Sequence, residues 1–227
     1  MTERELYLKI KPLIEGDTEG LYWDFKKTLD DKADIIRDIM AFANSDYNGD
    51  SYIIVGVSEP ATKNAVNRIA LTKEDRQRLN TDANYIYLPG AWDVHGLSAD
   101  DIEKMKKFSE GLMDKLEAAM LLCHPQCEFI PLQINQKRWL FIIVIKRTPG
   151  VFISKHDIPS DYIKTKNGDK RIVVKQGVLY VRKADITIGA DPKFALATDH
   201  IRVWKEYLDW LNSQDTVSEG GDGNDQP

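Results

Sequence analysis

Two uninterrupted apolar runs that stand out in this chain, Tyr52–Val55 and Leu140–Ile145, are only four and six residues long. Runs of that length read as buried strands, whereas a membrane-spanning helix needs about 20 apolar residues. Buried strands in turn need amphipathic helices to cover them. The 227 residues, 42% hydrophobic and 30% charged, fit a folded soluble protein of one large domain, or one domain with an appendage. The N-terminal MTERELYLKIK shows neither the apolar core nor the cleavage site of a signal peptide. Two cysteines, Cys123 and Cys127, do not make a disulfide framework. A cytoplasmic protein with no membrane partner is the expectation.

Residues 2–14 suit an amphipathic helix, with Leu6, Ile10, Leu13 and Ile14 on one side. A short aromatic strand follows at Leu21–Lys26. Asp30 or Asp31 is placed to cap a helix carrying Ile35, Ile36, Ile39, Met40, Phe42 and Ala43. Ser51–Val57 is a buried strand, closed by Gly56 and the nearby Pro60. Thr72–Leu79 reads as a short helix, while the rest of 61–97 has no clear period. Ser98 and Asp101 resemble a capping box opening a helix that runs to about Leu122. Hairpins are predicted at Glu128–Lys146 and at Tyr162–Val174, the second turning at Asn167–Gly168. Short strands are expected at Val151–Ser154 and Val178–Arg182. A final helix, about 192–212, is expected to follow Asp191–Pro192 and to bury Ile201, Trp204, Leu208 and Leu211. The fold class is α+β: a mixed, mainly antiparallel sheet flanked by helices, one domain over 1–213.

The formal charge is -5 and the pI about 5.5, so a globally basic nucleic-acid binder is excluded. The charge is unevenly spread. Residues 214–227 hold four acids and no base, and their composition is that of a disordered acidic tail. Lys146–Lys183 holds ten bases against three acids, a net +7. A local strip of that kind attracts polyanions through its near field. Lys164, Lys166, Lys170, Arg171 and Lys175 lie on or beside the predicted hairpin, where a basic ribbon can grip a nucleic-acid backbone without reading its sequence. An ordinary solvated hairpin remains the alternative.

Residues 19–59 read EGLYWDFKKTLDDKADIIRDIMAFANSDYNGDSYIIVGVSE. An acid precedes a D-F-K strand, a helix ends in AFAN, a glycine turn follows, and an apolar strand ends in GV. Together with Leu179–Ile188, LYVRKADITI, this resembles the Schlafen AlbA-type DNA-binding domain, a family found in many bacterial proteins and in the Schlafen proteins. The matching positions are Glu19, Asp24, Phe25, Lys26, Ala41–Asn44, Gly49 and Ile54–Val57, within a likeness spanning roughly residues 8–190. The chain departs from the family pattern in having Asp24 for Glu, Gly49–Asp50 for Gly–Gly, Ala184–Asp185 for Gly–Ser, and Ser58 after GV, which shifts the acid to Glu59.

The resemblance implies a nucleic-acid-binding α+β domain, with RNA and single-stranded DNA both open. It also implies that acids of this motif form the nuclease site in those Schlafen proteins that cleave RNA. Asp24 and Lys26, two apart on a strand, share one face. Glu19 stands just before that strand and Glu59 just after the next. Three carboxylates beside a lysine suit Mg²⁺ or Mn²⁺, with Lys26 facing the developing phosphate charge. Glu19, Asp24, Lys26 and Glu59 are thus the candidate catalytic residues, and Glu19, Asp24 and Glu59 the candidate metal ligands. A solvated strand face and a binding domain without chemistry stand as the alternatives. Arg182, in the Y-x-R position of the resemblance, is expected either to contact a phosphate or to brace the sheet against an acid. Asn44 is expected to cap its helix and fix the next turn. Cys123-His124-Pro125-Gln126-Cys127 has thiols and an imidazole but no second ligand pair. A third reading is an interaction module, with the acidic tail as a mask over the basic strip, or with Trp204, Tyr207, Trp210 and Leu211 as a homodimer contact.

Overall fold

The computed structural model describes residues 1–16, 18–58, 69–86, 92–166, 168–183, 186–190 and 197–218. In chain order the elements are α1 (Glu3–Ile14), β1 (Trp23–Lys26), α2 (Lys32–Ala43), β2 (Ser51–Val55), β3 (Val57–Ser58), β4 (Ile69–Ala70), α3 (Lys73–Leu79), β5 (Tyr85–Ile86), β6 (Asp93–Val94), α4 (Ala99–Ala119), β7 (Cys127–Asn135), β8 (Arg138–Ile145), β9 (Ile158–Lys164), β10 (Lys170–Val174), β11 (Leu179–Lys183), β12 (Ile186–Ala190) and α5 (Ala197–Ser218). No described helix is long and apolar enough to cross a membrane.

The main sheet has the order β1-β2-β8-β7. β1 runs parallel to β2, which is possible because α2 provides the crossover between them. The β2–β8 and β8–β7 pairs are antiparallel. The sheet is therefore mixed and mainly antiparallel, as expected. Its central strands are buried on both faces, which explains why their apolar runs do not alternate with polar residues. Ile53, Val55, Phe141 and Ile143 face α2 and α4. Tyr52, Ile54, Leu140 and Ile142 face α1 and the segment around α3. Gly56 interrupts the strand at φ +103°, a conformation L side chains rarely adopt, and the chain turns there into the short β3–β6 pair.

Outside this sandwich, the β9–β10 and β11–β12 hairpins pack on α2, so α2 is covered by the sheet on one side and by hairpins on the other. The caps follow the sequence: Asp31 accepts from the Ala33 amide at the start of α2, and Ser98 with Asp101 forms a capping box on α4. Asn44 caps α2 as expected, its amide donating to the Met40 carbonyl at 3.0 Å, but its side chain does more than local work. At φ -89° it is not left-handed. Its Nδ2 donates to the Phe152 and Tyr180 carbonyls at 2.8 and 3.0 Å, and its Oδ1 accepts from the Phe152 amide at 3.1 Å. The last letter of AFAN is thus a clip joining α2 to two segments more than 100 residues away.

Three expectations need correction. Val151–Ser154 makes only isolated bridges, Ile153 with Leu179 and Ser154 with Met120, because each meets a different neighbour. α5 continues to Ser218, through the first residues assigned to a disordered tail. The same helix also buries a different face. Ile201, Trp204 and Leu208 are exposed, while Val203 packs with Val151, Leu179 and Val181. α2 has no basic residue in its last turn, and the polar side of α5 lies against that end. Arg202 supplies the cation: it donates to the Asn44 carbonyl at 2.6 Å and the Ser45 carbonyl at 3.3 Å. Arg147 reaches the Ala43 carbonyl at 3.4 Å, and Glu206 links the two arginines at 2.7 and 3.0 Å. Cations at a helix C-terminus are favoured by the aligned peptide dipoles.

Candidate functional site

Strand alternation in β1 sends Trp23 and Phe25 toward the α1 side and Asp24 and Lys26 toward α2. α2 answers with Asp38 and, one turn later, Phe42, four residues apart on one face. β11 delivers Arg182 from beyond α2. The result is a buried charge cluster, with Asp24 3%, Asp38 2% and Arg182 4% exposed.

Arg182 donates from one terminal nitrogen to Asp24 Oδ1 at 3.0 Å, and the same nitrogen lies 3.6 Å from Glu19 Oε2. Its Nε donates to the Gly20 carbonyl and its other terminal nitrogen to Thr187 Oγ1, both at 3.4 Å. Its guanidinium carbon sits 5.0 Å from the centroid of the Phe42 ring, a cation–π contact. Lys26 Nζ bonds Asp24 Oδ2 and lies 3.2 Å from Asp38 Oδ2. Thr187 donates to Asp38 Oδ1 at 3.3 Å, and Arg37 lies 3.5 Å from the same oxygen. Glu19 Oε1 accepts from the Phe25 amide at 2.9 Å.

These neighbours set the protonation states. Burial opposes the charge on Lys26, but Asp38 and Asp24 outweigh it and push the ammonium up to about 12. Burial, and next the charge of Asp24, push the Glu19 carboxyl up to about 7 against the pull of the Phe25 amide. Near neutral pH this acid is divided between its neutral and charged forms.

The second basic feature is separate. Lys164, Lys166, Lys170, Arg171 and Lys175 are all exposed on or beside β9–β10. Lys164 and Lys170 stand directly opposite each other across the hairpin. Among the described residues none of these five cations makes an ion pair, whereas Asp161 of the same hairpin pairs with Lys115 of α4 at 3.0 Å.

The family model of "Schlafen, AlbA_2" matches residues 19–187. This chain belongs to the Schlafen AlbA_2 family. A solution NMR structure of the N-terminal domain of a RecG-related protein from Nitrosomonas europaea is similar at 14% identity, covering 86% of this chain and 95% of that one, with a TM-score of 0.38. No curated protein matches the chain.

The Schlafen AlbA_2 motif residues can now be placed. Glu19, Asp24 and Lys26 do converge; Glu59 lies outside the described residues. The donor set does not fit a divalent cation as it stands. Both Asp24 oxygens are held by cationic groups, and the two of Glu19 by the Phe25 amide and Arg182. A metal ion here would face Arg182 and Lys26 at contact distance, and like charges in a buried site repel strongly. Among the described residues, no group of three or more His, Cys, Asp or Glu is arranged to hold a metal. Around Cys123 and Cys127, burial pushes the Cys127 thiol up to about 12, away from the thiolate that metals bind.

Of the two roles open to Arg182, the geometry realises the brace. Sequence reasoning missed Asp38 and Thr187. Asp38 leaves a trace, as a charged residue between the apolar Ile36 and Ile39 of α2. Thr187 leaves none, because its partnership depends on the β11–β12 register that sets it opposite Arg182.

Proposed function

We propose that this Schlafen AlbA_2 chain binds nucleic acid, RNA or single-stranded DNA, by laying the sugar-phosphate backbone on the β9–β10 hairpin. One observation carries the reading: Lys164 opposes Lys170 directly, and neither has an anionic partner among the described residues. Like charges in that position destabilise a hairpin. Phosphates between them would remove the repulsion. Lys166, Arg171 and Lys175 add exposed cations on or beside the same hairpin. The Glu19–Asp24–Lys26–Asp38–Arg182 cluster acts in this reading as an internal latch that fastens β1, α2 and β11 together beneath the hairpins.

The test is a salt titration of binding to fluorescent 12-nucleotide RNA and DNA, comparing wild type with the variant in which Lys164, Lys166, Lys170 and Arg171 are all alanine. Each lost phosphate contact lowers the slope of log affinity against log salt by about 0.7 on a single strand, so the variant should lose up to about 3 from the slope. An unchanged slope rejects the hairpin as the contact surface. The series is run with Mn²⁺ and with EDTA. Cleavage that requires Mn²⁺ and disappears in Asp24→Asn would replace this reading with a hydrolytic one.

A further inference from the structure

The β9–β10 ladder is irregular. Lys170 pairs with Lys164, but Ile172 pairs with Pro159, so β9 spends five residues where β10 spends two. The excess is a bulge around Asp161–Ile163, and it is pinned from below. The Ser160 hydroxyl is buried and donates to Asp31 Oδ2. Its oxygen accepts from the Tyr162 amide at 3.1 Å and the Ile163 amide at 2.8 Å. The Asp161 amide donates to Asp31 Oδ1 at 3.3 Å, and the Asp161 carboxylate is tied to Lys115. Asp31 is itself buried and is the N-cap of α2. The backbone under the bulge is therefore fixed to the most enclosed helix of the molecule.

What this scaffold presents is the side chain of Tyr162, 71% exposed, with the exposed Ile163 and Ile172 on the same hairpin. An aromatic ring held out from a rigid backbone loses little freedom on binding. Exposed cations that make no ion pair among the described residues follow it in the chain at Lys164, Lys166, Lys170 and Arg171. A phosphate-binding surface that also offers an open aromatic face is the chemistry of single-strand recognition: only an unpaired base has a π-face free to stack. In a duplex both faces of every interior base are covered by its neighbours.

We propose that Tyr162 is a stacking platform for one unpaired base, so that this surface prefers single-stranded to duplex nucleic acid. The inference rests on the nucleic-acid reading above and specifies its ligand. It is tested with wild type, Tyr162→Ala and Tyr162→Phe against fluorescent U12, dT12 and a 12-base-pair DNA duplex at one fixed salt concentration. Loss of one stacked base lowers affinity by roughly 5–150-fold. Tyr162→Ala should show a loss in that range on U12 and dT12 and almost none on the duplex. Tyr162→Phe keeps the ring and should stay within about twofold of wild type. Equal losses on single strands and duplex, no loss at all, or a Phe variant as weak as the Ala variant would each overturn the platform while leaving hairpin binding intact. Wild type that binds none of the three probes overturns the underlying reading and this inference with it.

Discussion

At the scale of single residues the acidic motif behaves as a set of mutually satisfied charges. Asp24 is held by one guanidinium and one ammonium, Asp38 by Lys26, Thr187 and Arg37, and Arg182 by two acids, a carbonyl, a hydroxyl and an aromatic face. Removing one partner of such a buried pair usually costs about 3–5 kcal/mol, because the survivor is left charged and uncompensated. Glu19 is the member whose charge the site resists. Its folded-state value, about 7, lies above the ordinary 4.5, so the folded protein holds the proton more tightly than the unfolded chain does. Stability should therefore fall as pH rises from about 5 to about 8, by up to about 3 kcal/mol. The acids that folding lowers, among them Asp31, Asp75 and Glu206, titrate below that window. Glu19→Gln keeps an oxygen for the Phe25 amide and has nothing to titrate. Urea denaturation across this pH range should show a clear decline for wild type and a much flatter profile for the variant.

At the scale of elements, the β9–β10 hairpin carries its repulsion at one register position, so stability and binding should respond in opposite directions there. Lys164→Glu places opposite charges across the pair, which is worth about 0.2–1 kcal/mol. The variant should melt up to about 4 °C higher and bind single strands more weakly. A variant that gains stability without losing affinity would mean the lysine pair does not touch the ligand. The hairpin itself was legible: Asn167–Gly168 marks its turn, although Asn167 lies outside the described residues. The Ser98–Asp101 cap was also plain, and the α2 cap was narrowed to Asp30 or Asp31, of which Asp31 serves, because capping depends on residues three or fewer apart. The bulge beneath Tyr162 was not legible. It is set by Ser160 meeting Asp31 across 129 positions, and local pattern carries no trace of such a meeting. Asn44 illustrates the same limit: its place at the end of α2 could be read, its three long bonds could not.

At the scale of the whole molecule, the layers were foreseeable and their joints were not. The apolar runs of β2 and β8 called for cover on both faces, and α1, α2 and α4 provide it. The orientation of α5 went the other way. Its apolar stripe of Ile201, Trp204 and Leu208 suggested the docked face, yet the helix is seated by Val203 and by the Arg147–Glu206–Arg202 bridge over the end of α2. Glu206→Ala should loosen that seat. The pairs are partly exposed, so the expected loss is modest, about 1 kcal/mol, but hydrogen exchange in residues 197–214 should quicken while β2 and β8 stay protected. Uniform exchange across both regions would show that α5 unfolds only with the core.

The pairing of Asp24 with Arg182 spans 158 positions. On a ribosome adding roughly 5–20 residues per second, about 8–30 s separate the emergence of the two partners. For that interval Glu19 beside β1, Asp24 within it and Asp38 of α2 are without the guanidinium that the folded protein sets among them. The emergence of Arg182, rather than the early collapse of the sheet, then sets the moment at which the acidic cluster is neutralised, and an arrested chain ending before residue 182 would display it permanently to its surroundings.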